Sequence, residues 1–276
     1  KGHLRIAYRH RSVLLHRRTA ASVIGMLAVL AFVTAVSLSF GKVSVDLVDA
    51  LPAAFGWGEA RDVLLVQTLR LPRVEAGLVT GFALGVAGCL MQTLARNRLA
   101  TPDTVGLNNG ATAFAVASVV AVPTSLAPSG AALAGAATAV AITLGLAGGT
   151  GQRGYRFLVT GLGVGAVFGA VTNLMLARAA IDAANAAFPW TVGSLNTRSP
   201  VAVDLLEIAL LVAVPAALLL GRGLNVLRFS DAVAIGLGKR VRMIRIGAVA
   251  VAVVCAGLSV AVAGPVGMIA LAAPEA

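Results

Sequence analysis

Seven uninterrupted apolar runs, each close to the length at which an α-helix crosses a bilayer, leave this chain little choice of environment. They lie at residues 20–40, 74–95, 104–122, 131–148, 157–177, 205–221 and 246–263, and an eighth begins at Gly264. A helix needs roughly 20 apolar residues to cross the hydrocarbon, and each backbone group left unpaired there costs several kcal/mol. Barrel strands would show short stretches of alternating polarity in place of continuous runs. With 58% hydrophobic and 12% charged residues among 276, too little polar surface remains to cover a soluble globule. The expected fold is all-α, a polytopic transmembrane helix bundle at 20–276 behind a basic tail at 1–19.

The formal charge of +11 would suggest nucleic acid in a soluble protein. Its placement instead reads as a topology signal and an attraction to anionic lipid, and no nucleic-acid partner is expected. With the N-terminus cytoplasmic, sixteen Lys and Arg fall on the inner side: six in 1–19, Arg96 and Arg98, Arg153 and Arg156, and six in 222–245. Six fall outside, at Lys42, Arg61, Arg70, Arg73, Arg178 and Arg198, among most of the acidic residues. The tail leads into a span about 20 residues long, which suits a retained helix better than a cleaved signal peptide.

Residues that could carry chemistry are few. His3, His10 and His16 sit in the tail without Cys or carboxylate neighbours at metal-ligand spacing. Lys1, Lys42 and Lys239 lie in no phosphate-binding G-x-x-x-x-G-K-[ST] context, so any ATP would be bound by another chain. Cys89 and Cys255 fall inside spans and read as packed small residues. Glu75 and Glu207 stand within a turn of helix starts, where the helix dipole favours an anion, so the spans lack the buried carboxylates of ion-coupled carriers. Neither a catalytic constellation nor a metal site is predicted, and the chain is not expected to be an enzyme.

Small residues crowd the spans, as in G-F-A-L-G-V-A-G at 81–88 and G-L-G-V-G-A-V-F-G-A at 161–170. They suit close helix packing in lipid, and also a pathway lined by one such helix. Three connections are long, at 41–73, 178–204 and 222–245, and long connections are where partners dock. At the border of the second span, Arg70 and Arg73 are three residues apart around Pro72. They suit either of two roles, receiving carboxylates of an outer partner or anchoring at the headgroups.

The run R-L-P-R at 70–73, followed by G-F-A-L-G-V-A-G-C-L-M-Q-T-L-A-R-N-R-L-A-T-P-D-T-V-G-L-N-N-G-A at 81–111, resembles the FecCD-type permeases of ABC importers for iron-siderophores, haem and cobalamin. W-T-V-G-S-L at 190–195, L-N-V-L-R-F-S-D-A-V-A-I-G-L-G at 224–238 and A-G-P-V-G-M-I-A-L-A-A-P at 263–274 match further family motifs in the family's order. The resemblance implies a ten-helix type II ABC importer permease in the bacterial cell (inner) membrane. It also implies its partners: a second permease subunit, the same chain or a paralogue, two cytoplasmic ATPase subunits and an extracytoplasmic substrate-binding protein. Cofactors are expected only in the ATPase, as ATP and Mg.

Carried onto this chain, the resemblance makes Arg70 and Arg73 binding-protein docking residues. Asn97, Leu99, Gly154 and Tyr155 become a cytoplasmic gate. Leu224, Leu227, Ser230, Asp231, Ala234, Leu237 and Gly238 become the ATPase-coupling stretch within 222–245. Three departures stand out: Arg98 for the proline of N-P-L-A, Ser230 for a glycine, and Glu275 for a histidine. Seven spans and a fragment fall short of ten helices, as in a truncated or incompletely observed chain. A ferric siderophore is the expected cargo, haem or cobalamin being alternatives within the same importer type. The rivals are a gradient-driven secondary transporter and a scaffold subunit that moves nothing.

Overall fold

Hydropathy translates into helix almost wherever the chain is described. The computed structural model describes residues 3–8, 11–41, 43–120, 127–148, 154–196 and 199–275. Six helices are long and apolar enough to cross a membrane, and with the family matches reported below they make this a multi-pass membrane protein. The chain divides into two units, 1–75 and 76–276.

In the first unit the basic tail is not featureless. Strands β1 (His3–Tyr8) and β2 (Arg11–His16) pair antiparallel, from His3 opposite His16 to Tyr8 opposite Arg11. The alternation of Leu4, Arg5 and Ile6 is a strand pattern that a count of charges overlooks. α1 (Arg17–Ser39) follows, with nearly all its apolar residues exposed. The predicted connection 41–73 is largely helical: α2 (Leu47–Ala54), α3 (Ala60–Leu64) and a π-helical run Leu65–Arg70 lead without a break into α4 (Leu71–Ala95). Leu38, Val45, Ala50, Ala53 and Val66 form a small core.

The second unit holds the rest of α4 with α5 (Leu107–Val120), α6 (Pro128–Ala147), α7 (Gly154–Arg178), α10 (Pro200–Leu227) and α12 (Val241–Ala263). Short helices α8 (Ile181–Ala187), α9 (Pro189–Val192), α11 (Asp231–Gly236) and α13 (Ile269–Ala272) fill the connections. α12 is the most enclosed of the long helices, its Ala248, Ala252, Cys255, Ala256, Gly257 and Ser259 giving neighbours a low-relief surface. α4, α5, α6 and α10 share its core.

Glycines set the closest approaches. A Cβ on Gly110 of α5 would lie 2.6 Å from the Gly135 carbonyl of α6, and one on Gly135 would lie 2.2 Å from the Gly110 carbonyl. Gly161 of α7 packs as tightly on Thr104 and Val105. In a bilayer, where apolar burial does not distinguish helix from lipid, such contact gains dispersion that bulkier residues would forbid.

The run 104–122 opens with a 3-10 turn, Pro102–Val105, and α5 begins at Leu107, while residues 121 and 122 lie outside the described residues. Thr101 and Thr104 cap that turn reciprocally, Pro102 opens it, and Gly106 closes it at φ 78°. These signals overrule the continuing hydropathy. The segment from Gly264 runs as a loop to Met268 and then enters α13 (Ile269–Ala272). The connection 222–245 shortens to residues 228–240, because α10 runs on to Leu227 and α12 begins at Val241.

Candidate functional site

Near one end of the first unit, Arg70 and Arg73 part company. Arg70 closes the π-helical run, where the wider turn alters the angular spacing of the residues it carries. Its Nη1 donates to the carbonyls of Leu38 at 2.5 Å and Ser39 at 2.7 Å, and its Nη2 donates to that of Val43. The guanidinium lies against Gly41, where a Cβ would come within 3.1 Å of it. Leu38 and Ser39 end α1, where carbonyls lack helical partners and the dipole is negative. Arg70 thus serves as a remote cap on α1. Arg73, one turn on in α4, is exposed.

Within the second unit, the short helix α11 carries the predicted coupling stretch. Ser230 caps it, its Oγ accepting from the Val233 N–H at 3.1 Å, so the departure from glycine brings a capping side chain. Gly238 follows at φ 71°, with the Lys239 N–H returned to the Ala234 carbonyl at 2.9 Å. Leu224, Leu227 and Ala234 are buried in the core of their own unit. They anchor the segment to that core. The apolar surface offered outward is Phe229, Val233, Ile235 and Leu237, with Phe229 79% and Leu237 63% exposed. Phe229, Val233 and Ile235 are not among the residues singled out from the sequence, which does not say which side chains of so short a segment lie against its neighbours.

Asp231, at the start of α11, is held from two directions. Arg96 Nη2 donates to its Oδ1 at 2.8 Å, and Arg245 Nη2 donates to both oxygens at 2.9 and 2.8 Å. Directly after Arg96, Asn97 Oδ1 accepts from the Leu99 N–H at 2.9 Å in a tight turn that leaves the Leu99 side chain 70% exposed. Gly154 and Tyr155 occupy the first turn of α7, and their side chains lie outside the described residues. Arg98 reaches Glu275 at 3.4 Å, so two departures from the family pattern meet as one ion pair.

Gly85, Gly88 and Gln92 of α4 explain a further motif. A Cβ on Gly88 would fall 1.9 Å from the Ala270 carbonyl, and Gln92 donates to the Leu271 carbonyl at 3.0 Å. This face of α4 cradles α13. Beside it a cavity of about 250 Å³ is lined by residues including Leu84, Leu99, Asp103, Asn108 and Met268. Burial pushes the Asp103 carboxyl above its ordinary value. α7 presents a second face, where Gly163 and Gly169 meet nothing within 4 Å and Val159, Leu162, Val167, Asn173 and Leu174 are exposed.

Residues 29–276 match the model of the FecCD transport family. The chain is 32% identical over 250 residues to the Fe(3+)-citrate import system permease protein YfmD of Bacillus subtilis, covering 90% of this chain and 74% of that one. It is 36% identical over 261 residues to the ferric enterobactin transport system permease protein FepD of Escherichia coli, covering 93% and 78%. Among solved structures, a chain of a transporter assigned to the metal-chelate ABC type, in an inward-facing conformation, superposes with a TM-score of 0.74 at 19% identity, covering 91% of this chain and 77% of that one. That likeness establishes a common fold.

Proposed function

The chain belongs to the FecCD transport family, and from that premise we propose that it forms the translocation passage of an ATP-driven importer, carrying a ferric siderophore or a similar metal chelate. The relatives named for Fe(3+)-citrate and ferric enterobactin support that cargo class. The observation that carries the ATP-driven reading is the exposed apolar set Phe229, Val233, Ile235 and Leu237 on and beside α11, presented by a capped segment between two long helices. An apolar helix face of this kind seats in a groove of another protein.

The mechanism is alternating access between two packings of the bundle. Two ATPase subunits grip α11 of this chain and of a second permease subunit, and closure on ATP favours one packing over the other. ATP and Mg reside in those subunits, and this chain supplies no catalytic group. A loaded binding protein docks on the outer side through Arg73, whose guanidinium suits a carboxylate. The N-terminus is cytoplasmic, as the inner excess of Lys and Arg favours. The open, small-residue face of α7 lines the passage, and Asn97 and Leu99 with the start of α7 narrow its cytoplasmic end.

The test is reconstitution in proteoliposomes with the ATPase and binding protein, following uptake of an iron-55 chelate. Uptake that requires both ATP and the binding protein is expected. Uptake driven by an ion gradient without nucleotide, or an assembled complex that moves nothing, would overturn the proposal.

A further inference from the structure

Arg96 ends α4 in a conformation that a side chain resists. Its φ is 51°, in the left-handed region that helix ends ordinarily fill with glycine or asparagine. A strained residue of this kind directs attention to what its side chain does. Here the side chain leaves α4 and meets Asp231 at the start of α11, with 2.8 Å between Nη2 and Oδ1. Arg245 of α12, only 15% exposed, grips the same carboxylate from the other side. Asp231 is the one acid between residues 222 and 245, among six cations.

We propose that the Arg96–Asp231 contact is a strut that transmits displacement of α11 to the turn at residues 97–99, so that Arg96 is a positioning residue for the gate. The proposal rests on the reading of α11 as the ATPase-docking element. α11 packs on α10 and α12, and Arg96 supplies its reach to the end of α4. Because Arg96 immediately precedes Asn97, movement of its guanidinium is passed to the turn within one residue. The pair is 41% exposed on both sides and therefore adds little to stability. Its value is positional: the charge-assisted bond is short, and it ties the end of α4 to the carboxylate that Arg245 also holds. Arg98, bonded to Glu275, steadies the same turn from its other flank.

The experiment uses the complete reconstituted importer with Leu99→Cys as a reporter in a background lacking Cys89 and Cys255. Reaction of this cysteine with a water-soluble maleimide is timed with and without trapped nucleotide, and uptake per ATP hydrolysed is measured in parallel. Arg96→Gln should abolish most of the nucleotide-dependent change in labelling and lower uptake per ATP about threefold to fivefold, the most that an exposed ion pair transmits. Arg96→Lys keeps the charge on a long stem and should restore at least half of both. A normal labelling change and normal uptake per ATP in Arg96→Gln overturn the strut. A complex with the native Leu99 that shows no ATP-dependent uptake overturns the importer reading instead, so the two failures are distinct.

Discussion

Replacing Arg70 by Gln should loosen the end of α1, whereas the same change at Arg73 should not. Arg70 donates to three carbonyls that close α1 and the loop after it. Bonds from charged donors contribute about 1.5–3 kcal/mol when buried, but this site is only partly buried, so roughly 0.7–1 kcal/mol each is the fitting scale. Three together give about 2–3 kcal/mol. With 1.4 kcal/mol per factor of ten, amide exchange in the peptide covering residues 36–45 should accelerate roughly 30- to 100-fold. Hydrogen–deuterium exchange in lipid nanodiscs measures this directly. Arg73 is exposed, and its removal should leave exchange within about threefold of the parent, as for most surface changes. Capture of the binding protein should show the reverse, with Arg73→Gln weakening it about tenfold through loss of a rim charge. If Arg70→Gln weakened capture as strongly as Arg73→Gln while exchange at 36–45 stayed unchanged, the division of labour would be wrong.

Two further outcomes follow from the second unit. Gly88→Ala places a methyl 1.9 Å from the Ala270 carbonyl, so α13 must move. A loss of about 1–3 kcal/mol is expected, seen as earlier thermal unfolding and faster proteolysis after residue 264. Phe229→Ser together with Leu237→Ser should cut co-purification of the ATPase while leaving permease unfolding unchanged. Leu224→Ser, by contrast, opens the permease's own core and should lower its thermal stability.

The helical bundle was legible because hydropathy over 20-residue windows reports the solvent a helix faces, and α4, α6, α7, α10 and α12 all stand where apolar runs lie. The start of α5 lies three residues inside its apolar run, because the capping pair Thr101 and Thr104 with Gly106 turns the chain there. That signal was present in T-P-D-T-V-G and was outweighed by the average. Arg70 could not be read, since its partners lie 27 to 32 residues away and depend on how α1 comes to rest. In the coupling stretch the sequence located the segment but not its outward side. Leu227 and Phe229 are equally apolar in sequence, and only tertiary packing buries one and exposes the other. The meeting of Arg98 with Glu275 was likewise hidden, although each had stood out as unusual.

The mutual glycine contact between α5 and α6 limits how such a machine can work. Sliding either helix by one residue would bring Ala111 or Ala136 to the place where a methyl already overlaps a backbone oxygen. α7 in turn is held to the turn before α5, where Gly161 meets Thr104 and Val105 backbone to backbone. Seams closed by flexible side-chain tips, such as the one where Leu220 and Ile244 meet Gly247 and Gly223, yield more readily than these backbone contacts.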